Sequence, residues 1–376
     1  MQVGGQCHRT DLLQLSRLCG LQDLSIDLSC RNQAEPLVSF KLVSQMSALT
    51  ALRLSARSAD GFGSLSSCVN LQQLDVLDQT GVSFDLSATD WCVLGQLTQL
   101  TKLDMWPVHL GTDCGACCLA LQQLTGLHEL SAGALASGVL AGLRHLPHLT
   151  SLGGDFLPID GLDMTFTCVQ VAHLWASSGH LPCDAFPNLL HVHLHKRITS
   201  DALAALSTHC HLLQSLQHDL PESPVANLLT LPAAEPVADR VAAVRSLSSL
   251  QCLRALDFCV QEDAEMHAVC QAAAELARLT QLRIVVRNTS DVTSSTPLFA
   301  LARVSSIKNL ALWVLKPSLL RQADLAKNFV AVLAGVKRLQ LVVASELQHT
   351  QLSSAFESVE SLGLPLPSRY SVSMVG

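Results

Sequence analysis

LTQLTKLDM, residues 97–105, sets apolar side chains at Leu97, Leu100, Leu103 and Met105, with polar residues between them. Near-copies begin at Met46, Cys68, Leu124, Leu146, Leu250, Leu276, Val304, Leu333 and Phe356. A pattern of apolar-x-x-apolar-x-x-apolar-x-apolar that recurs along a chain specifies stacked supersecondary units sharing one continuous core. The closing apolar-x-apolar pair, as in Leu103 and Met105 or Leu310 and Leu312, alternates with period two and predicts a short strand with one buried face. Between copies, residues 198–210 and 262–279 carry helical spacing. Ser200 or Asp201 is the expected cap of the first, with Leu203, Leu206 and Cys210 on one side. One repeat is therefore a strand, a turn and a helix.

The third apolar position serves as a marker of register. It falls at Leu24, Leu52, Leu74, Leu103, Leu130, Leu152, Leu174, Val192, Leu216, Leu256, Leu282, Leu310, Leu339 and Leu362. Most steps match one repeat of about 20–29 residues. The longest gap, between Leu216 and Leu256, carries Pro221, Pro224, Pro232 and Pro236. Proline removes backbone donors and breaks helices, so a Pro-rich inserted loop at 221–240 is expected between sub-arrays at 1–220 and 241–376 of one continuous solenoid. A helix-like segment at 10–18 opens the chain, and residues 367–376 offer little to cover a last repeat, so a fragment of a longer array is expected.

The 376-residue chain is 49% hydrophobic and carries a net charge of −7, which leaves no long basic stripe for phosphate neutralisation and argues against nucleic-acid binding. No run of about 18 apolar residues spans a membrane, and no charged lead with an apolar h-region begins the chain. A cytoplasmic protein is expected. Its 14 cysteines are scattered and are read as reduced thiols. Cys68, Cys168 and Cys210 occupy the leading apolar slot and are expected in the core. The CGACC stretch, Cys114 to Cys118, has half the spacing of a zinc module but no matching half, and it continues into an apolar helix.

On these repeats the chain resembles leucine-rich-repeat proteins, and its longer, helix-bearing units are similar to the ribonuclease-inhibitor-like branch. The resemblance covers about residues 12–367 and implies an α/β fold: a curved horseshoe solenoid with a parallel concave sheet and convex helices. It also implies protein binding rather than catalysis. One departure stands out. The family places Asn or Cys three residues beyond the last strand apolar, where its side chain satisfies the turn backbone; this chain has Ser29, Val108, Leu135 and Gln261 among others there. Those turns need other hydrogen-bond partners.

Strand alternation assigns the residues flanking the buried pair to the open face. Trp106, Trp175 and Trp313 fall there, either as partner anchors or as rings lying over neighbouring strands. Asp75, Asp104, Glu129 and Asp155 give the first half an acidic character that favours a basic protein partner, whereas Arg283 and Arg338 appear later. In HVHLH, His191, His193 and His195 flank Val192 and Leu194. Alternate strand residues lie about 7 Å apart, so the three offer a solvent-facing or pH-responsive patch, with a zinc site as a further geometric option.

No nucleophile, base and oxyanion-donor constellation appears, nor a Walker, serine-elbow or zinc-protease signature. The expected function is a non-catalytic protein-interaction scaffold without metal or cofactor. Substrate recognition for an F-box-type ubiquitin ligase whose N-terminal module is missing is the alternative; a cytoskeletal or axonemal scaffold is also compatible, whereas regulating a small GTPase would require a polar catalytic contact that no residue pattern here supplies. The oligomeric state is open.

Overall fold

The computed structural model describes residues 2–4, 20–27, 40–55, 59–77, 84–110, 114–156, 165–174, 183–194, 198–218, 235–286, 306–314, 336–343, 349–350, 353 and 369–374. They fall into two units, residues 1–175 and 176–376. In the first, eight strands run β1 (Gln2–Gly4), β2 (Asp23–Asp27), β3 (Ala51–Ser55), β4 (Gln73–Leu77), β5 (Lys102–Leu110), β6 (Glu129–Leu135), β7 (Ser151–Phe156) and β8 (Val171–Leu174), each paired in parallel with the next. In the second, β9 (His191–Leu194), β10 (Ser215–His218), β11 (Ala255–Val260), β12 (Gln281–Val286), β13 (Asn309–Val314), β14 (Arg338–Val343) and β15 (Arg369–Met374) do the same. This is a leucine-rich-repeat solenoid of the α/β class.

The spacing of the repeat has a direct physical cause. Its first two apolar residues bracket a turn in which the N–H of the second donates to the carbonyl of the first: Leu100 to Leu97, Leu127 to Leu124, Leu253 to Leu250 and Leu279 to Leu276, at 2.8–3.1 Å. The two residues between them, such as Thr98 and Gln99, are left at the surface. The marker and the second strand apolar then point inward, and the markers whose side chains are described, from Leu24 to Leu339, are no more than 3% exposed. Each buried leucine contributes about 1.5–3 kcal/mol relative to an exposed one, which makes the repeated slot the main source of stability.

Helices close the repeats on the core side. In the first unit these are α1 (Ala88–Gln96), α2 (Cys114–Gln123) and α3 (Ser137–Leu143), with 3-10 turns Phe40–Val43 and Phe62–Ser67 in earlier repeats. The second unit has α4 (Ser200–His209), α5 (Val237–Ser246) and α6 (Asp263–Glu275). Ser87 caps α1, its Oγ accepting from Asp90 N at 3.2 Å. Thr199, not Ser200 or Asp201, caps α4, with Ala202 N donating to Thr199 Oγ1 at 3.2 Å. Within α2, Cys117 is buried, and Cys118 donates to Gly138 O of the next repeat at 3.1 Å, so this part of CGACC serves helix packing. The expected insert lies outside the described residues between 219 and 234, and α5 starts at Val237. The segment 10–18 is likewise outside them.

Register corrects two expectations. Leu152 pairs with Ala172, not Leu174, so Ala172 is the marker of that repeat, twenty residues from the markers on either side. Its leading slot is Phe166, buried, while Cys168 is only half-buried. Alanine is too weak an apolar signal to win against Leu174, and the larger side chain displaced the frame by two. At the other end, β14 pairs directly with β15, where Tyr370 aligns with Leu339. The last described strand is thus formed by the C-terminal segment, and the strand expected at Leu362 lies outside the described residues.

Hydrogen bonds tie the repeats together at the starts of the strands, and at one turn a carboxylate stands in for asparagine. Two residues before each marker, one carbonyl accepts two backbone N–H groups from the following repeat: Gln72 O takes Thr101 N at 2.8 Å and Lys102 N at 3.1 Å, and Arg254 O takes Thr280 N and Gln281 N at 2.9 Å. Where threonine occupies that position its hydroxyl adds a third donor, from Thr50 to Gln22 O, Thr101 to Gln72 O, Thr150 to His128 O and Thr280 to Arg254 O, at 3.0–3.3 Å. At the far end of β11 the carboxylate of Glu265 does the work of the missing asparagine, accepting from Gln261 N at 2.7 Å and Glu262 N at 3.2 Å. Val108 and Leu135 stand in asparagine positions and are simply buried.

Candidate partner-binding faces

Because the markers face the helices, the residues one before and one after each marker form two rows on the opposite, uncovered side of the sheet. In the first unit the row after the markers reads Ser25, Arg53, Asp75, Asp104, Ser131, Gly153 and His173. Asp75 and Asp104 are direct neighbours on adjacent strands. Arg53 Nε lies 3.7 Å and Lys102 Nζ 4.0 Å from the Asp75 carboxylate, and Lys102 also lies 3.7 Å from Glu129. Two cations therefore serve three carboxylates. Oδ1 of Asp75 and Oδ1 of Asp104 are each buried without a hydrogen-bond donor among the described residues. Burial pushes the Asp104 carboxyl up to about 6, with the negative charge of Asp75 adding to it and Lys102, Arg53 and His173 opposing it.

The acidic character expected of this face is present at Asp75, Asp104 and Glu129; the side chain of Asp155, in β7, lies outside the described residues. Trp106 is half-buried and precedes a register shift between Met105 and His109. Pro107 sits at that irregularity, where a missing ladder donor is tolerated. The opposing strand must carry glycine, since a Cβ on Gly133 would lie 2.7 Å from Trp106 O.

In the second unit the row after the markers is His193, Gln217, Asp257, Arg283, Ala311, Gln340 and Ser371, and the row before is His191, Ser215, Ala255, Gln281, Asn309, Arg338 and Arg369. Arg283 and Asp257 form a close ion pair across β11 and β12. The Arg283 guanidinium also lies over the Trp313 ring, 5.8 Å from its centre. Trp313 packs on buried Cys259 and Val285, so it is partly covered by its own sheet, and its Nε1 has no acceptor among the described residues. Arg338 is exposed. His191 and His193 are half-buried beside Val192 on β9; burial, then the nearby charge of His193, lowers the His191 pKa. Trp175 and His195 lie outside the described residues. Among the described residues no group of three or more His, Cys, Asp or Glu is arranged to hold a metal ion.

An open groove of about 590 Å³ runs along β13, floored by Ala311 and walled by Gln281 and Arg283 on one side and Arg338 and Gln340 on the other. Reading both rows of every strand once register is known would have found Asp257 and the amides Gln281, Asn309 and Gln340, which the search for charge and tryptophan passed over. On the helix side, Arg240 is 2% exposed and binds Glu265 and Glu262 at 2.6 Å each and the carbonyl of Glu235 at 2.8 Å. Glu265 and then Glu262 raise the guanidinium's pKa against the lowering effect of burial. The Glu235 carboxylate in turn receives Ser200 N at 3.2 Å and its hydroxyl. This chain of contacts ties the starts of α4, α5 and α6 together. Arg240 escaped sequence analysis because it sits at the end of the stretch assigned to a loop.

No protein-family model matches the sequence, and no curated protein sequence does. Solved structures do.

An internalin from Listeria monocytogenes is 14% identical, with 92% of this chain and 87% of that one covered and a TM-score of 0.43. A leucine-rich-repeat protein from Leptospira interrogans is also 14% identical, with 93% and 97% covered and a TM-score of 0.37. The Toll–Spatzle complex of Drosophila gives 13% identity and a TM-score of 0.40; 93% of this chain aligns with 51% of that one. The fold assignment itself rests on the parallel register of consecutive repeats. No helix among the described residues is long and apolar enough to cross a membrane.

Proposed function

We propose that this chain is a non-catalytic protein-binding scaffold that holds its partner on the helix-free face of the strands. The observation that carries this reading is the pair of partly buried carboxylates, Asp75 and Asp104, each with Oδ1 buried and undersupplied, on a face that no described helix covers. A buried acceptor without a donor costs about 1–3 kcal/mol, and a donor from outside recovers it. A basic segment supplies donors and charge at once, since Asp75, Asp104 and Glu129 outnumber Arg53 and Lys102 there. Trp106 and Trp175 are the apolar anchors proposed for the same contact, with Asp155 at its margin; Trp313, His191, His193 and His195 are proposed separately for the strand face of the second unit. Repeats that alternate a strand with an α-helix support placing the array in the ribonuclease-inhibitor-like branch.

Photo-crosslinking side chains at Gln73 and Gln281, both exposed on the strand face, and at Gln123, exposed on α2, test this reading. Discrete protein adducts from the strand positions alone, reduced by high salt at Gln73, are expected. Equal labelling from Gln123 would overturn it.

A further inference from the structure

The groove along β13 differs from the acidic face in the kind of charge it leaves available. Arg283 is engaged by Asp257 and by the Trp313 ring. Arg338, across the groove, is exposed and makes no ion pair among the described residues. Lys308 and Lys337 stand immediately before Asn309 and Arg338, with Arg254 two strands away, where the corresponding positions of the first unit hold Gln22, Thr50, Gln72, Thr101, His128, Thr150 and Gln170. One end of these strands is thus cationic in the second unit and uncharged in the first, apart from the histidine.

The groove's shape follows from side-chain size. Ala311 lies between Arg283 on β12 and Gln340 on β14 in the row after the markers, so a small residue is flanked by two long ones. Strands β12 and β14 are about 9–10 Å apart at the usual strand spacing, a width that admits one extended polypeptide above β13. Gln281, Asn309 and Gln340 place neutral amides along it, each a donor and an acceptor of the kind a peptide backbone requires.

We infer that this groove holds an extended, acidic segment of a protein partner, with a carboxylate bound by Arg338 and the backbone bound by the flanking amides. The inference rests on the protein-binding reading and names the chemistry of one occupant. The planar guanidinium takes a carboxylate through two parallel hydrogen bonds, which lysine cannot reproduce. An excess of cations at the strand ends steers such a segment in and rejects a basic one.

The test uses the full chain and fluorescein-labelled twelve-residue peptides, one rich in Asp and Glu, one with the matching amides and one rich in Lys, together with a labelled oligoadenylate. Anisotropy is expected to show binding of the acidic peptide only. Arg338→Ala weakens it by about tenfold or more, and Arg338→Lys recovers only part of the loss. Ala311→Leu fills the floor and blocks binding without removing charge. Binding of the acidic peptide that survives Arg338→Ala unchanged overturns the inference, as does tighter binding of the oligoadenylate. Neither result touches the crosslinking at Gln73, which lies in the first unit and outside this groove; loss of that labelling would remove the scaffold reading itself.

Discussion

The two units use the same repeat and handle their charges in opposite ways. In the first, Asp75 and Glu129 share Arg53 and Lys102 at 3.7–4.0 Å beside a third carboxylate, Asp104, and two carboxylate oxygens stay buried without donors among the described residues. In the second, Asp257 is closed by Arg283, and Glu262 and Glu265 are closed by a buried Arg240. The lesson is that a solenoid leaves its inner core almost indifferent to charge on the strand face. Each unit can therefore keep a different sign of charge available without altering the leucine slots that hold it together.

The largest effect expected from this contrast is on the second unit. Arg240→Ala leaves Glu262 and Glu265 without their cation and should destabilise it by about 3–5 kcal/mol. Hydrogen exchange resolves where: protection should fall in α4, α5 and α6 and hold in α1 to α3. A uniform loss, or a loss below about 1 kcal/mol, would break the contrast.

Next in size is a pH effect confined to the first unit. The Asp104 carboxyl sits at about 6 in the folded chain against 3.8 for the unperturbed group. The folded state therefore holds its proton more tightly, and the resulting stability is complete below 3.8 and lost as pH rises through about 6. The shift corresponds to about 2–3 kcal/mol. Asp104→Asn removes the repulsion with Asp75, so urea midpoints above pH 6 should rise and their decline between pH 4 and 6 should flatten. An unchanged pH profile would show that Asp75 and Asp104 are not in conflict.

The smallest effect should be common to both units. Thr101→Val and Thr280→Val each delete one hydroxyl donor while the accepting carbonyl keeps two backbone N–H groups. A loss of about 0.5–1 kcal/mol is expected from each, read as equal shifts in urea midpoint. Unequal losses would mean that the strand-start hydrogen bonds are not a device shared by the two units.

Register was legible in sequence wherever the marker was a leucine or valine and failed at Ala172. Ala172 yielded to Leu174 because a methyl group gives little hydropathic signal, although its position on the strand buries it completely. Counted from Ala172, Trp175 takes the same place in its repeat as Trp106 and Trp313 do in theirs. The candidate faces were legible as rows but not as pairings: sequence identified Arg283 and Trp313 separately, and only the register of β11, β12 and β13 brought them together with Asp257. Arg240 was illegible for a different reason, since its partners lie more than twenty residues away at the start of another helix.

By itself the sequence determined the repeat, its parallel strand and the inward direction of its leucines, because the three-three-two spacing is satisfied by one turn followed by one strand. Tertiary structure decided which polar side chains meet, which carboxylates go short of donors and which arginines are consumed internally. Hydrophobic burial is additive along the chain and can be counted from residue types; charge pairing depends on distances of a few ångströms between residues of different repeats, which only the stacked strands and helices set.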